Sequence, residues 1–445
     1  MADVTLTYKG NTIAELSATG NKTLKTAGKY CEADIELAYV KSGGVGEADY
    51  RKAVKFFDYD GTLVYSFTAD EFLALTAMPT NPYHAGLTAQ GWNWTLSDAQ
   101  DYVAECGFLI IGQHYIPSDG KTRLYIQLDG SNVNPYLGLC VNGTVDVDWG
   151  DGSSHSTVTG TNTNTIIYTL HQYQSPGEYV IAISPSSGTT VGIRGTTPDG
   201  SYILTENKNV TSSIYRNSLQ AVEIGSGIKF IDYAFRNCRN IKSVSIPITF
   251  TDNWNDDSFL GCWELLFVTL PDGVNLGGST FYDCVNLRYI SFPKSVTYNS
   301  NTKHQLYNCV LLTEVSFSRT NQPTKLMPYC SYDLKKIAIP EGVTNIPSSF
   351  ISNVRMLYTL TIPSSVTAIE SDAFLNCDKL REIHFKRTTP PTVSSGAFSS
   401  TLGSGSNLDP VCKIYVPYSN DHSVLAAYMS ASNYPSSSTY AYIEE

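Results

Sequence analysis

The chain has 445 residues, of which 42 % are hydrophobic and 16 % charged, and its formal net charge is −11. At roughly 100–200 residues per domain, this length predicts three or more structural units. The acidic balance argues against binding to nucleic acid, because contacts with the phosphate backbone supply most of that affinity.

Residues 1–45 are predicted to form an N-terminal β module, with strands flanking a turn at residues 9–11 and a second strand pair within residues 22–40. Residues 41–48, KSGGVGEA, form a Gly-rich linker. The stretch YKGNTIAELSATGNKTLKTAGKYCEADIEL resembles the N-terminal segment of tail-associated proteins from phages and prophages of gut Firmicutes. That resemblance implies attachment to other tail or baseplate subunits, whereas a small independent β domain would have the same pattern.

The first residues contain neither a positively charged region nor an apolar one, so we expect no secretory signal. The sequence has no run of 18 apolar residues, so insertion into a membrane is not expected. The abundance of Tyr, Ser, Thr, Asn and Gly nevertheless indicates a hydrogen-bonding surface typical of extracellular and viral β proteins. A virion protein, assembled in the host cytoplasm and released by lysis, reconciles these two observations.

Residues 50–134 are predicted to form a small α+β module. AVKFFDYDGTLVYSF indicates two strands around an Asp-Gly turn. The capping-box patterns at 68–71 and 97–100 predict two short helices, the second ending at Gly107. A hairpin through residues 118–120 is expected to follow. Trp92 and Trp94 lie between the helices, where they would either bind a sugar by stacking or form the core beneath the helices.

The segment Ala53–Val64 resembles the first motif of haloacid-dehalogenase phosphatases. That resemblance would make Asp58 the nucleophile and Asp60 the acid/base, with magnesium between them. The same chemistry needs a lysine and a further acidic pair on a parallel sheet, for which the following residues leave no room. His-Glu-x-x-His and Gly-x-Ser-x-Gly motifs do not occur. The sequence therefore predicts no enzyme, no catalytic residue and no cofactor, and a phosphatase remains a remote alternative.

Residues 135–190 contain a Trp-Gly-Asp-Gly turn, followed by His-x-Tyr and Pro-Gly-x-Tyr. This combination resembles the PKD-type β-sandwich, which implies a spacer domain. Asp146, Asp148 and Asp151 would either hold a cation such as calcium or organise the turn by local hydrogen bonds. We predict no metal site. Residues 191–219 are expected to link this domain to a repeat region.

Residues 220–387 are predicted to form a solenoid, because one pattern returns seven times between residues 235 and 385. Its template is aromatic/Leu-x-x-Cys-x-x-Leu-x-x-Val/Ile-x-Ile/Phe-Pro, with one inserted residue in the fifth and sixth copies. The alternation at the end of each copy indicates a short strand, and the proline ends it. A single copy could not bury its apolar face, so stacked copies are expected to bury it together.

One position of the template defines a structural ladder, in which we expect buried thiols to bond to neighbouring turns and Asn353 to act as a polar equivalent. Its members are Cys238, Cys262, Cys284, Cys309, Cys330, Asn353 and Cys377. A metal site is not expected here, because no Cys-x-x-Cys pair occurs.

The segment IPSSVTAIESDAFLNCDKLREI, residues 362–383, resembles the BspA-type leucine-rich repeat, and residues 339–353 are close to it. The resemblance covers about residues 220–390 and implies a leucine-rich-repeat solenoid. The family is associated with surface adhesion, although the repeat type does not determine a ligand.

Residues 388–445 are predicted to form a C-terminal cap containing a strand at 413–419 and a helix at 421–432. The cap carries Tyr428, Tyr434, Tyr440 and Tyr442. Tyrosine adds contact area at a low entropy cost, so these residues are candidates for binding, although a cap must also pack.

We therefore expect a mainly β, modular and non-enzymatic protein. As a phage tail protein of the baseplate or a fibre, it would attach by its N-terminus and bind a bacterial surface glycan or protein through the repeat sheet and cap. The alternative is a BspA-type bacterial surface adhesin. A homo-oligomer is compatible with either role, but no heptad or triple-stranded fibre pattern demands one.

Overall fold

The structure, a computed structural model, describes residues 4–8, 11–16, 22–24, 50–130, 133–194, 203–205, 214–250, 254, 257–298, 305–319, 334–377, 379–398, 413–435 and 440–445. The first strands are β1 (Val4–Tyr8), β2 (Asn11–Leu16), β3 (Lys22–Leu24), β4 (Val54–Phe57), β5 (Leu63–Phe67), β6 (Leu87–Trp92), β7 (Leu109–Pro117), β8 (Thr122–Leu128), β9 (Tyr136–Asp148), β10 (Ser156–Leu170), β11 (Gly177–Pro185), β12 (Thr190–Arg194), β13 (Leu204–Thr205), β14 (Leu219–Glu223) and β15 (Ile228–Asp232). The later strands are β16 (Ser243–Ser245), β17 (Phe267–Thr269), β18 (Val274–Leu276), β19 (Tyr289–Ser291), β20 (Val296–Tyr298), β21 (Glu314–Ser316), β22 (Lys336–Ala338), β23 (Asn345–Ile346), β24 (Thr359–Ile362), β25 (Ala368–Ile369), β26 (Glu382–Phe385), β27 (Thr392–Val393), β28 (Lys413–Val416) and β29 (Ala441–Glu444). The α-helices are α1 (Ala69–Leu73), α2 (Leu96–Cys106) and α3 (Ser423–Ser430), and a 3₁₀ turn covers Ile214–Asn217.

The chain divides into two compact units, Met1–Gly43 and Gly44–Glu445. In the first unit, β1, β2 and β3 form an antiparallel sheet in which Tyr8 pairs with Asn11 and Ala14 pairs with Leu24. The predicted strand pair around residues 9–11 is therefore present. The other strand predicted within residues 22–40 lies outside the described residues.

Residues 50–117 of the second unit, called the cover module below, contain a four-stranded sheet and two helices. The strand order is β5-β4-β7-β6, with β4 parallel to β7. The capping box predicted for α1 is present, since Thr68 accepts a hydrogen bond from the Glu71 amide and Glu71 accepts one from the Thr68 amide. For α2 the capping residue is Thr95 rather than Ser97, and the helix ends at the left-handed Gly107 as predicted.

The predicted hairpin of β7 and β8 is wrong, although the turn between them exists at residues 117–120. β7 pairs with β4 and β6, whereas β8 pairs with β11 and β14. The Gly225 amide, which follows β14, adds a hydrogen bond to the Thr122 hydroxyl of β8 at 2.9 Å. The chain thus leaves the cover module at this turn and begins a second sheet.

Strands β8–β16 form one nine-stranded sheet with the order β15-β12-β9-β11-β8-β14-β16, and its strands before the first repeat, β8–β15, are called the end sheet below. The strands β10 and β13 also pair with β9. Because β14 pairs in parallel with β16 of the first repeat, the end sheet continues into the solenoid without a break. Its bounds therefore differ from the predicted spacer at 135–190 and linker at 191–219. The physical reason is a shared core that extends from Leu124 to Tyr428.

The repeats stack into two rows of short parallel strands around that core. The front row consists of β16, β17, β19, β21, β22, β24, β26, β28 and β29, and the back row of β15, β18, β20, β23, β25 and β27. At the C-terminal end, β28 and β29 extend the front row in parallel, and α3 buries Val424 and Tyr428 against the last repeat. The residues described here contain no helix of the length and apolarity needed to span a bilayer.

Candidate binding face

In five of the seven copies, the described residues include two left-handed positions that set the conformation of the turn containing the ladder residue. Asn237, Asp283, Asn308 and Asn376 occupy the position just before the ladder cysteine, with φ between 57° and 58°. Asn and Asp tolerate this region better than other non-glycine residues. Adjacent turns are joined by their backbones, for example from the Phe259 amide to the Thr280 carbonyl at 3.0 Å.

The ladder thiols lie inside the solenoid and donate to the carbonyl of the preceding turn. Cys262 reaches Phe235, Cys284 reaches Phe259 and Cys309 reaches Phe281, each at 3.2 Å, and Cys377 reaches Ile351 at 3.1 Å. Burial raises the pKa of the Cys262 and Cys284 thiols, so both remain protonated donors. Cys238 is also buried, and Cys330 lies outside the described residues.

The structure corrects the predicted ladder at Asn353. This residue has φ of 63° and its side chain accepts a hydrogen bond from Asn376, so it occupies the left-handed position before the ladder. The fully buried Val354 stands at the cysteine position instead, and Ile351 takes the place of the aromatic residue. The sixth copy therefore needs no insertion, and its ladder residue is apolar rather than polar.

The front row is covered over its first five strands by the cover module. The outward side chains at the first strand position include Phe267 and Tyr289, which pack with Phe57 and Ile110 of the module. At the third strand position all five outward residues are small and buried: Ser245, Thr269, Ser291, Ser316 and Ala338. Small side chains let the two sheets approach so closely that a Cβ on Gly112 would collide with the Thr269 side chain.

Side chains of the cover module satisfy backbone groups of the repeats across this contact. The Trp94 indole donates to the Phe292 carbonyl at 2.8 Å, and the Tyr102 hydroxyl donates to the Phe317 carbonyl at 2.9 Å. The Asn93 amide donates to the Ser291 hydroxyl at 2.9 Å. Because buried polar groups need partners, these bonds fix one register between the module and the repeats.

Two ionisable side chains of the cover module, Lys55 and His114, are buried in its contact with the repeats. The fully buried Lys55 ammonium lies 2.5 Å from a Glu314 carboxylate oxygen. The His114 Nδ1 lies 2.8 Å from the Ile246 carbonyl, and burial lowers the pKa of His114 to about 4. His114 is therefore neutral at pH 7.

The last four front strands form a face, called the open sheet below, with outward residues that reach solvent. β24, β26, β28 and β29 are paired in parallel, so the third strand positions line up as Thr361, His384, Tyr415 and Ile443. The rings of His384 and Tyr415 stack with centroids 4.3 Å apart and 3° between their planes. The first strand positions contribute Thr359, Glu382, Lys413 and Ala441, of which all but Glu382 are exposed.

Charges at one margin of the open sheet fix the orientation of the histidine. Glu445 accepts from the Lys386 ammonium at 2.7 Å, and its other oxygen lies 2.8 Å from His384 Nδ1. Although partial burial opposes ionisation, these two hydrogen bonds lower the pKa of Glu445. The face therefore combines an ordered aromatic pair with hydroxyl, ammonium and carboxylate groups, which suits hydrogen bonding and stacking to a polar ligand.

The aromatic residues predicted to bind ligands instead pack within the protein. Trp92 and Trp94 are 7 % and 4 % exposed, and Tyr428 is fully buried. The hydroxyl groups of Tyr428 and Tyr434 donate to the carbonyls of Arg387 and Pro391. Tyr440 and Tyr442 are half-buried and pack against the solenoid core, and the Tyr442 hydroxyl donates to the Pro435 carbonyl. The cap and the cover module need these rings for their cores.

The motif that resembles a phosphatase forms a hairpin. β4 and β5 are antiparallel, and the Asp58 amide donates to the Thr62 carbonyl across the turn. Asp60 accepts from the Thr62 amide, and Asp58 lies 2.6 Å from His84 Nε2. Both carboxylates therefore accept hydrogen bonds in the Asp-Gly turn between two strands that the sequence predicted.

The predicted Trp-Gly-Asp-Gly turn packs by local contacts. Asp148 accepts from the Gly150 amide, and the Trp149 ring stacks on His171 with centroids 4.6 Å apart. Burial opposes ionisation of Asp151, but hydrogen bonds from Ser153 and His171 lower its pKa to about 2. Asp146 lies 2.8 Å from His155. Within the described ranges, no three His, Cys, Asp or Glu side chains are grouped as metal ligands.

Residues 203–305 and 300–408 match the BspA type leucine rich repeat region, in six copies. These residues form BspA-type leucine-rich repeats. The match includes the thiol ladder, the back row and the front row as far as β26, whereas β28 and β29 lie beyond it. No curated protein matches the chain.

Solved structures with leucine-rich repeats align with the chain at low identity. They are a leucine-rich cell surface protein from Faecalibacterium prausnitzii (19 % identity over 43 % of this chain and 62 % of that one, TM-score 0.25), a leucine-rich repeat protein from Bacteroides ovatus (15 %, 67 % and 77 %, TM-score 0.35) and the pneumococcal vaccine antigen PcpA (14 %, 51 % and 67 %, TM-score 0.24). The chain thus spans about three fifths of the first of these proteins. At such identities and TM-scores, the likeness carries no inference about a ligand.

The sequence analysis predicted binding through the repeat sheet and cap but named none of the outward residues of the open sheet, although a signal for them exists. The third strand position carries small residues from Ser245 to Ala338 and then Thr361, His384, Tyr415 and Ile443. A change from small to large side chains at one repeat position marks the change from a covered to an exposed face.

Proposed function

We propose that this chain is a non-enzymatic recognition protein that binds a bacterial surface glycan or protein through the open sheet. The single observation that carries this proposal is the uncovered row of the exposed Thr361 and the partly exposed His384, Tyr415 and Ile443, beside a front row that is otherwise covered. Aromatic rings held in place by packing lose little entropy on binding, and the neighbouring hydroxyl and charged groups supply directional hydrogen bonds.

In this proposal the chain is a phage tail protein of the baseplate or a fibre. Its support is the resemblance of the first 40 or so residues to the attachment segment of tail-associated proteins. The N-terminal unit would bind other tail subunits, and the open sheet would lie at the distal end of the particle. The net charge of −11 supports a role without nucleic acid.

The second candidate is a bacterial surface adhesin, which the BspA-type repeats favour. It would use the same open sheet but would be displayed by a cell. Immunogold labelling with antibodies against the chain separates the two: labelled tails support the phage role, and labelled cell envelopes support the adhesin.

The test of recognition uses the fluorescently labelled full chain and a panel of gut Firmicutes cells. The double variant His384→Ala/Tyr415→Ala is expected to lose at least about tenfold in affinity for a strain that the unmodified chain binds, as expected for a contact worth about 1.4 kcal/mol. Tyr83→Ala is the matched control, since Tyr83 is 87 % exposed on the cover module.

Equal binding by the double variant and the unmodified chain would remove the open sheet from recognition. Binding to none of the strains, by a folded chain, would contradict recognition of the bacterial surface. Incubation of the full chain and of Asp58→Asn with phosphate esters tests the non-enzymatic part. Magnesium-dependent hydrolysis that disappears in the variant would overturn it.

A further inference from the structure

The strand β10 is an edge strand of the end sheet. Among the described strands it pairs with β9 alone, through residues 156–161 and 166–170. An edge strand presents unpaired backbone N–H and C=O groups at alternate residues, which form a template for another strand.

The outer edge of β10 lacks the features that normally prevent an edge strand from pairing with a strand of another chain. From Ser156 to Leu170 the sequence STVTGTNTNTIIYTL contains no charged residue and no proline. Natural edge strands are usually short or protected by lysine, by proline or by a covering segment. In β10 only Val158 is buried, so most of its length is accessible to a partner.

The regular part of the edge is Ser156–Thr161, since the register with β9 shifts between Thr161 and Ile166. In this part the exposed residues Thr157, Thr159 and Thr161 lie on one face, because side chains alternate along a strand. Val158 points into the core. The Thr159 hydroxyl already lies 3.3 Å from the Thr144 hydroxyl of β9, which is a cross-strand threonine pair within one chain.

We propose that β10 is a homodimer interface, in which two copies of this chain pair antiparallel about a twofold axis through Thr159. In this register Thr157 of each copy lies opposite Thr161 of the other, and the two copies of Thr159 lie opposite each other on the axis. Cross-strand threonine pairs are favourable, and an isologous interface requires just such self-complementarity. A second copy fits better than an unrelated peptide, because the spacing of the three threonines is symmetric about Thr159. The pairing would join the end sheets of the two copies into one continuous sheet.

The experiment uses the full chain and sedimentation equilibrium or light scattering over a range of concentrations. The mass is expected to rise toward twice the monomer value of 48.8 kDa. Thr159→Lys and Thr159→Glu each place two like charges opposite one another on the axis, so each variant alone is expected to stay monomeric. An equimolar mixture of the two variants is expected to restore the dimer, which also shows that both fold. Ser154→Lys, an exposed residue just before β10, is the matched control and should leave the dimer intact.

Three results would overturn the proposal. The first is a monomer mass for the unmodified chain at every concentration. The second is a dimer that persists in Thr159→Lys, because the copies would then associate through another surface. The third is a mixture of Lys and Glu variants that stays monomeric, because the axis would then not pass through Thr159.

Discussion

The front row of the solenoid has two regions built from the same repeat, one covered and one open. Glu314 and Glu382 occupy the same position in their copies, yet Glu314 pairs with the buried Lys55 and Glu382 lies in the open sheet. Ser316 and His384 are equivalent in the same way. The difference shows that the same repeat template can form an internal interface or an exposed face. The two regions differ in their outward side chains, not in the backbone of the repeat.

The cover module shields apolar residues of the covered region from solvent. The module buries Phe267 and Tyr289, which would otherwise form an exposed aromatic patch on the sheet. The open sheet carries no such pair of apolar rings at its first strand position. At the third strand position the covered repeats therefore carry only small residues, whereas the open sheet carries His384, Tyr415 and Ile443 there.

The largest expected effect comes from breaking the buried ion pair of the covered region. Glu314→Leu leaves the Lys55 ammonium buried without its closest charge partner, so the free energy of unfolding should fall by about 3–5 kcal/mol. Glu382→Leu is the matched change in the open sheet and should cost less than about 1 kcal/mol. Chemical denaturation followed by tryptophan fluorescence measures both, and equal effects would contradict the comparison.

The next effect is a pH dependence of stability that arises from His114, a buried residue of the covered region. Burial lowers the pKa of His114 from 6.5 to about 4, so the unfolded chain binds a proton there that the folded chain does not. The neutral His114 side chain makes its full contribution to the free energy of unfolding above pH 6.5. That contribution, about 3 kcal/mol in total, is lost as the pH falls toward 4. His114→Gln should therefore reduce the slope of the free energy of unfolding against pH between pH 6.5 and 4, by up to the amount that corresponds to the uptake of one proton on unfolding. Equal slopes for the two proteins would show that the folded chain protonates His114.

A smaller effect is expected from exchanging the third-position residues of the two regions. Ser316→Tyr introduces a large ring between two packed sheets, and overpacking should cost about 1–3 kcal/mol. His384→Ser makes the reverse change in the open sheet, where it removes the stack on Tyr415 and the hydrogen bond to Glu445, and should cost about 1 kcal/mol or less. Thermal unfolding measures the pair. A tolerated tyrosine at 316 would mean that the cover module separates easily from the repeats.

The smallest effect concerns the ladder, which both regions share. Cys284→Val and Cys377→Val each remove a thiol hydrogen bond without creating a cavity, as Val354 already does in the sixth copy. Each should lower the free energy of unfolding by about 1 kcal/mol or less. A much larger loss for Cys377→Val alone would show that the cover module stabilises the ladder beneath it.

Local patterns predicted much of the fold. Strand alternation, the capping box at Thr68, the glycine at 107 and the spacing of the repeats all express contacts between near neighbours in sequence. The shift of the sixth copy at Asn353 was missed because asparagine suits both a polar ladder and a left-handed turn. Only the hydrogen bonds of the neighbouring turn distinguish these two positions.

Long-range contacts were beyond the sequence patterns. Lys55 and Glu314 are 259 residues apart, and nothing near either residue indicates the other. The candidate binding residues were chosen because they are aromatic, yet Trp94 and Tyr428 are aromatic because large buried spaces must be filled. Exposure depends on which module lies over which repeat, and that is a property of the assembled chain.

The register between the cover module and the repeats limits how this protein could lengthen in evolution. Duplication of a repeat between β16 and β21 would move at least two of the carbonyl groups bonded to His114, Trp94 and Tyr102 apart by one strand spacing, and the module could no longer reach all of them. Duplication between β24 and β28 would disturb none of these bonds. Gain or loss of repeats is therefore free only at the far end of the array, where each added copy would enlarge the surface available for new ligands.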